Sequence, residues 1–232
     1  MKHQTLALCG ILGMFFCGCV DTPKPVSPPR VEAPVSPKQL DIPHYGQEHR
    51  IYPGKPVVYY TFAKQRERQL ELSAPEFSGD DFILRVWWTW QRGASQSGSL
   101  REFKKSNGEW QARVIRYNVV FDGFRHYEKI SDVRSREFTP LGGWEKFESM
   151  MDAHLISMLP TSDAVEGYNL AMYEFLRDKP AQPTTTYSVE IATPEHYRFY
   201  FYDSPALIRD KITEADLFAS FIDVLRDMET GQ

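Results

Sequence analysis

Beyond its nineteenth residue this 232-residue chain has no cysteine: Cys9, Cys17 and Cys19 are all it contains. No disulfide can staple the body of the protein, and thiolate ligation of a metal is excluded there too. Strong charge of either sign is also missing, the formal net charge being −4 and the pI near 5.9. Nucleic acids and anionic lipid surfaces are held through basic faces, so this balance gives no electrostatic reason to expect either as a partner. The apolar run at the N-terminus, Leu6 to Phe16, is only eleven residues long, against about twenty for a helix that crosses a bilayer.

The usual signatures of catalysis are lacking as well. In the string Gly93-Ala94-Ser95-Gln96-Ser97-Gly98, Ser97 stands where a nucleophile elbow needs its second glycine, so Ser95 is not held on the strained turn that exposes a catalytic serine. The richness in Gly and Ser predicts a flexible loop between two strands. Past the N-terminus the histidines (His44, His49, His126, His154, His196) are scattered, without a His-Glu-x-x-His pair. Asp80-Asp81 lacks the spaced ligands and glycine of a calcium loop and reads as a turn entering a strand. No glycine-rich phosphate cradle occurs. No metal and no cofactor is therefore expected.

What is present begins with an address. Lys2 to Thr5 is polar and basic, Leu6 to Phe16 is apolar, and Phe16-Cys17-Gly18-Cys19 follows, which is the pattern of an export signal. These four residues resemble the signal of bacterial lipoproteins, in which a small residue precedes a cysteine that is acylated and becomes the new N-terminus. Gly18 and Cys19 match; Phe16 and Cys17 stand where that family has leucine and alanine or serine. The resemblance implies a signal peptide over 1–18, lipidation of Cys19 and, from Val20 rather than Asp at the next position, the outer membrane of a double-membraned cell envelope, with the chain facing the periplasm or the exterior. Acylation would also remove the liability of a lone thiol in an oxidising compartment.

From Val20 to Pro43 the chain carries seven prolines and no aromatic residue. Proline favours an extended conformation rising about 3.1 Å per residue, so this stretch predicts a tether, 19–43, reaching on the order of 70 Å. One globular domain is expected over 44–232, since no repeat and no second linker interrupts it.

Phe82 to Trp90 predicts a strand with Phe82, Leu84, Val86, Trp88 and Trp90 on a core face. Asn107-Gly108 predicts a tight hairpin turn that pairs Ser106 with Glu109, Glu102 with Arg113 and Phe103 with Ala112. A second hairpin, Thr185–Ala192 with His196–Tyr202 around a three-residue loop, predicts Ile191 opposite Tyr197 and Glu190 opposite Arg198, outside the core. Apolar spacings of three and four predict helices over Trp144–Met158 and from Thr213 to Met228. The expected class is α+β: an antiparallel sheet of hairpins with two amphipathic helices packed on one face. His154 reads as a satisfied boundary residue, and Glu145, Glu148 and Asp152 as a solvated face.

The surplus is aromatic: five Trp, twelve Tyr and fifteen Phe. Trp87 beside Arg85, and Tyr200 and Tyr202 sharing a strand face with His196 and Arg198, form a candidate ligand-binding face, because flat rings flanked by hydrogen-bonding groups suit sugar or peptide recognition. The plainer alternative is that both sides of the sheet are covered, which leaves Trp87 and Tyr200 as packing and Glu190 with Arg198 as a local ion pair. The expected partners are the membrane, through the lipid anchor, and an envelope protein or glycan, with no nucleic acid. The favoured activity is non-catalytic binding; the alternative is an anchored hydrolase of envelope glycan or peptide whose catalytic groups lie far apart in sequence.

Overall fold

The computed structural model describes residues 38–47, 50, 54–92, 95–122, 127–179 and 183–230, all within one compact unit, 35–232. The expected signal peptide, Cys19 and most of the expected tether lie outside the described residues. No helix among the described residues is long and apolar enough to cross a membrane.

Seven strands make one sheet: β1 (Gln39–Asp41), β2 (Phe82–Arg92), β3 (Ser95–Ser106), β4 (Glu109–Asp122), β5 (Tyr127–Phe138), β6 (Thr185–Ala192) and β7 (His196–Asp203), in the spatial order β1-β7-β6-β2-β3-β4-β5. Four helices accompany it: α1 (Val58–Gln69), α2 (Gly143–Ala153), α3 (Tyr168–Asp178) and α4 (Thr213–Thr230). The class is α+β, with four helices among the described residues where two were expected. The sheet is mixed rather than purely antiparallel, because β1 pairs parallel with β7. That strand falls at 39–41, in sequence expected to be tether, and Lys38 before it is buried with its ammonium donating to Pro75 O at 2.8 Å.

Asn107 and Gly108 both adopt positive φ, as a two-residue hairpin turn requires, and the register pairs Ser106 with Glu109, Glu102 with Arg113 and Phe103 with Ala112, as the dipeptide predicts. The neighbouring acids hold this turn: Asp81 Oδ2 accepts from Gly108 N–H at 2.9 Å, and Asp80 accepts from the hydroxyls of Ser78 and Ser106. The expected loop 93–98 is a strand from Ser95 onward. Gly98 sits opposite Tyr117, whose ring lies against its backbone where no side chain would fit.

Both faces of strand β2 are buried from Ile83 to Trp88. Leu84, Val86 and Trp88 share one core with Phe147 and Met150 of α2, Tyr168 and Ala171 of α3, and Phe218, Phe221, Ile222 and Leu225 of α4. Ile83 and Trp87 point the other way. They share a second core with Ala63 of α1, Leu100, Ile115, Tyr197, Phe199 and Phe201. Helix α1 touches β7 at one end, where the Tyr59 and Phe201 ring centroids are 4.5 Å apart, and β5 near the other, where Gln69 Oε1 accepts from Ile130 N–H.

Two expectations shift in detail. Helix α2 ends at Ala153 rather than at residue 158, because Leu155 takes a left-handed conformation and turns Ile156 into the core. The β6–β7 hairpin keeps its expected bounds, but Thr193 N–H donates to His196 O and the register shifts by one, to Ala192 opposite Tyr197 and Glu190 opposite Phe199. A one-residue slip reverses which side chains share a face.

Candidate functional site

A row of alternating charge crosses five strands. Glu137 (β5) lies opposite Arg113 (β4), Arg113 opposite Glu102 (β3), Glu102 opposite Arg85 (β2) and Arg85 opposite Glu190 (β6). Opposite charges directly across neighbouring strands attract. Here they also bond: Arg85 Nε donates to Glu102 Oε2 at 2.6 Å, and Arg113 Nε donates to Glu102 Oε1 at 2.8 Å. Arg85 also donates from Nη1 to Glu67 Oε2 and from Nη2 to Ser73 O, each at 2.8 Å. Glu190 is fully buried and accepts from Trp87 Nε1 at 2.6 Å and Tyr197 O–H at 2.7 Å.

Helix α1 caps this row with Lys64, whose ammonium lies 2.8 Å from Glu190, 3.0 Å from Glu67 and 2.7 Å from Glu76. Oxygens of these three carboxylates lie within 4.8 Å of one another, a grouping suited to a metal ion, and the lysine already stands among them. An ammonium has three donors, and here each meets a carboxylate. Burial by itself would lower the Lys64 pKa, but Glu190 and Glu67 outweigh it and raise it. Lys64 is therefore a fixed cation rather than a base or nucleophile. Burial and the charge of Glu190 push Glu67 up to about 7 despite Lys64 and Arg85, whereas those two cations overcome burial at Glu190 and hold it below the usual carboxylate range.

The outer part of the row is open. Arg85, Glu102, Arg113 and Glu137 line a groove of about 570 Å³ with Ser73, Lys104 and Gln111. Trp110 and Trp144 also line it, their rings stacked at 5.5 Å and 13°. Glu148 fixes the Trp110 indole, accepting from its Nε1 at 2.9 Å and from Lys105 at 2.8 Å, so this residue of the expected solvated face ties α2 to the β3–β4 hairpin.

No known protein family, curated protein or solved structure matches the chain.

The six residues of the expected aromatic binding face are not brought together. Arg85 and Trp87 are buried on the α1 side of the sheet, while Tyr200 and Tyr202 are buried in the opposite core, where Tyr202 stacks on Phe218 at 4.6 Å. Trp87 and Tyr200 are packing. The local ion pair of Glu190 with Arg198 does not form, because the slipped register puts Phe199 opposite Glu190. Arg198 instead donates to Asp41 Oδ2, Ser157 O and Leu159 O. With exposed His196 it lines a separate hollow of about 420 Å³ beside β1. His154 is a satisfied boundary residue, its Nδ1 2.8 Å from Met150 O.

Lys64, Glu67, Glu76, Trp110 and Trp144 had no local signal as a site. The pairing of Glu102 with Arg113, readable from the Asn-Gly turn, was the one trace of the charge row in the sequence.

Proposed function

We propose that this chain is a membrane-anchored lipoprotein of the cell envelope, attached through acyl chains on Cys19, whose domain is a non-catalytic binding module for an envelope glycan or protein. The cysteine distribution and the Phe16-Cys17-Gly18-Cys19 sequence support the anchor. The Trp110–Trp144 groove supports the binding role. Its indoles offer apolar surface to the CH faces of a sugar or to a peptide side chain, and Lys104, Gln111, Arg113 and Glu137 offer the hydrogen bonds that orient it. We read α1 as covering one side of the sheet and α2, α3 and α4 as covering the other, so the groove is where the sheet's polar row reaches solvent. Arg85 and Glu102 in its floor are locked in ion pairs, which suits positioning better than proton transfer.

The single observation behind this reading is the stacked indole pair in the groove's wall, packed against the α2-side core on the face of β4 opposite the charge row. Two measurements test it. Metabolic labelling with a fatty-acid probe is expected to mark the chain and to vanish with Cys19→Ser; labelling that persists reassigns the modified residue. Isolated cell-wall glycan is expected to retain the full chain and to lose it with Trp110→Ala or Trp144→Ala. Retention unchanged in both variants would remove the groove from the function.

A further inference from the structure

The charge row ends on an unpaired carboxylate where it meets the groove. Across the strands it alternates Glu190, Arg85, Glu102, Arg113, Glu137. Four of the five stand against an opposite charge: Glu190 lies 2.8 Å from Lys64, and Arg85 and Arg113 each lie 2.6 Å from an oxygen of Glu102. Arg113 is directly opposite Glu137 but turns its guanidinium the other way, Nε and Nη2 both reaching Glu102 Oε1. Glu137 is left exposed near the end of β5, with no hydrogen bond or ion pair among the described residues.

The groove bends round the edge of β4. Trp110, Gln111 and Ala112 are consecutive in that strand and point to alternate faces, yet all three line it. A ligand that fills it meets the indoles on one side and the end of the charge row on the other. The cations in the lining already face acids, Lys104 lying 2.9 Å from Asp80 and both arginines sharing Glu102. Exposed Ser73, Gln111 and Thr139 add neutral hydrogen-bonding groups. The domain holds one ammonium of its own in this manner: Lys105 Nζ lies 5.2 Å from the Trp110 ring centroid and 2.8 Å from Glu148 Oε1, shared between an aromatic face and a carboxylate. Trp144 and Glu137 bring the same two kinds of group to the groove, without a cation of the chain on either among the described residues.

We propose that the groove binds a glycan bearing free amino groups, an amino-sugar chain whose nitrogens are not acylated. This rests on the groove reading above and narrows it to one ligand class. A ligand ammonium pairs with Glu137 and completes the alternation of the row, a charge-assisted bond stronger than a neutral one. A pyranose ring lays its CH face on Trp144, and its hydroxyls bond Ser73, Gln111 and Thr139. An acidic glycan brings a second anion to Glu137, and an N-acylated one offers it no charge. A lysine side chain also carries an ammonium, but three neutral hydrogen-bonding groups around one free carboxylate match a ligand rich in hydroxyls.

The full chain in non-ionic detergent is titrated calorimetrically, at fixed ionic strength and at a pH where a sugar amine is protonated. The probes are a glucosamine tetramer, an N-acetylglucosamine tetramer and an end-blocked alanyl-lysyl-alanine peptide. The glucosamine tetramer is expected to bind about tenfold or more tightly than its acetylated counterpart and than the peptide. Glu137→Gln is expected to bring the ratio between the two tetramers near one; the side chain is exposed, and an unchanged urea midpoint certifies the fold. Trp144→Ala is expected to weaken both tetramers. Equal affinity for the two tetramers, or a ratio that Glu137→Gln leaves intact, overturns the amine assignment, while dependence on Trp144 still keeps the groove as a glycan site. Peptide binding tighter than that of the glucosamine tetramer overturns the glycan in favour of a protein partner. Binding of none of the three overturns the proposal and the groove reading together.

Discussion

Lys64 Nζ lies 2.8 Å from an oxygen of Glu190, a carboxylate with no solvent exposure, on a strand that enters the chain more than a hundred residues later. The same ammonium serves Glu67 and Glu76, so three buried or nearly buried acids share it, with Arg85 as a second cation on Glu67. Removing one partner of a buried charge group costs more than the pair contributes, because the remaining charges are left uncompensated.

Lys64→Ala is therefore expected to lower the unfolding free energy by about 3–5 kcal/mol, read from the urea midpoint at constant slope. With the ammonium gone, the three carboxylates present an all-oxygen cluster that suits a divalent ion. Millimolar calcium is expected to restore part of the loss in the variant and to leave the parent protein unchanged. An equal calcium response in both would show that the lysine does not occupy that position.

Glu67 supplies a pH signature. Its carboxyl titrates near 7 in the folded chain against 4.5 ordinarily, so the folded state holds the proton more tightly than the unfolded one. The contribution of Glu67 to stability then falls as pH rises from about 4.5 to about 7 and levels off above. Relative to Glu67→Gln, which cannot titrate, the parent is expected to lose on the order of 3 kcal/mol across that window. Unfolding free energies of the two proteins measured at several pH values check this; a constant difference between them would contradict it.

Legibility in the sequence followed how local each feature is. The β3–β4 pairing was readable because Asn107-Gly108 sets turn type and register together. The β6–β7 pairing was readable as a hairpin but not in register, since the bonds between Thr193 and His196 close the turn one step out of the expected alignment and change which residues meet. Helix α1 was invisible to a search for an apolar stripe because its buried residues are Ala63, Arg66 and Glu67; it covers the charge row as well as the second apolar core. Strand β5 lies at the sheet edge with Asp132 to Glu137 exposed, so it shows no alternation of apolar and polar residues. The charge row itself depends on β2 lying between β3 and β6, and no nearby residue announces that order.

Gly98 of β3 lies directly under the ring of Tyr117 on β4. A Cβ added there would stand 2.2 Å from Tyr117 Cε2. Gly98→Ala is expected to cost about 1–3 kcal/mol through forced repacking. In a double-mutant cycle with Tyr117→Ala the two costs are expected to be less than additive by about 1 kcal/mol or more, since removing the ring opens the space. Strict additivity would place the strain elsewhere.

Two helices end on the same device with a residue poorly suited to it. After α1, Glu71 (φ 53°) donates from its N–H to Arg68 O and Leu72 to Glu67 O; after α2, Leu155 (φ 53°) donates to Asp152 O and Ile156 to Met151 O. This paired bonding closes a helix around one left-handed residue, the place where glycine is favoured because a Cβ crowds the carbonyl. Glu71→Gly relieves a cost of about 1–2 kcal/mol and gives back about 0.5–1 kcal/mol in unfolded-chain entropy, for a net gain of about 0.5–1 kcal/mol and a rise of a few degrees in the melting midpoint. Glu71→Ala keeps the Cβ and is expected to gain nothing, which separates backbone relief from loss of the charge. Leu155→Gly gains less, because the Leu155 side chain is only 48% exposed and its buried half is lost. Melting curves in which alanine and glycine at position 71 raise stability equally would assign the effect to the glutamate's charge instead of its left-handed backbone.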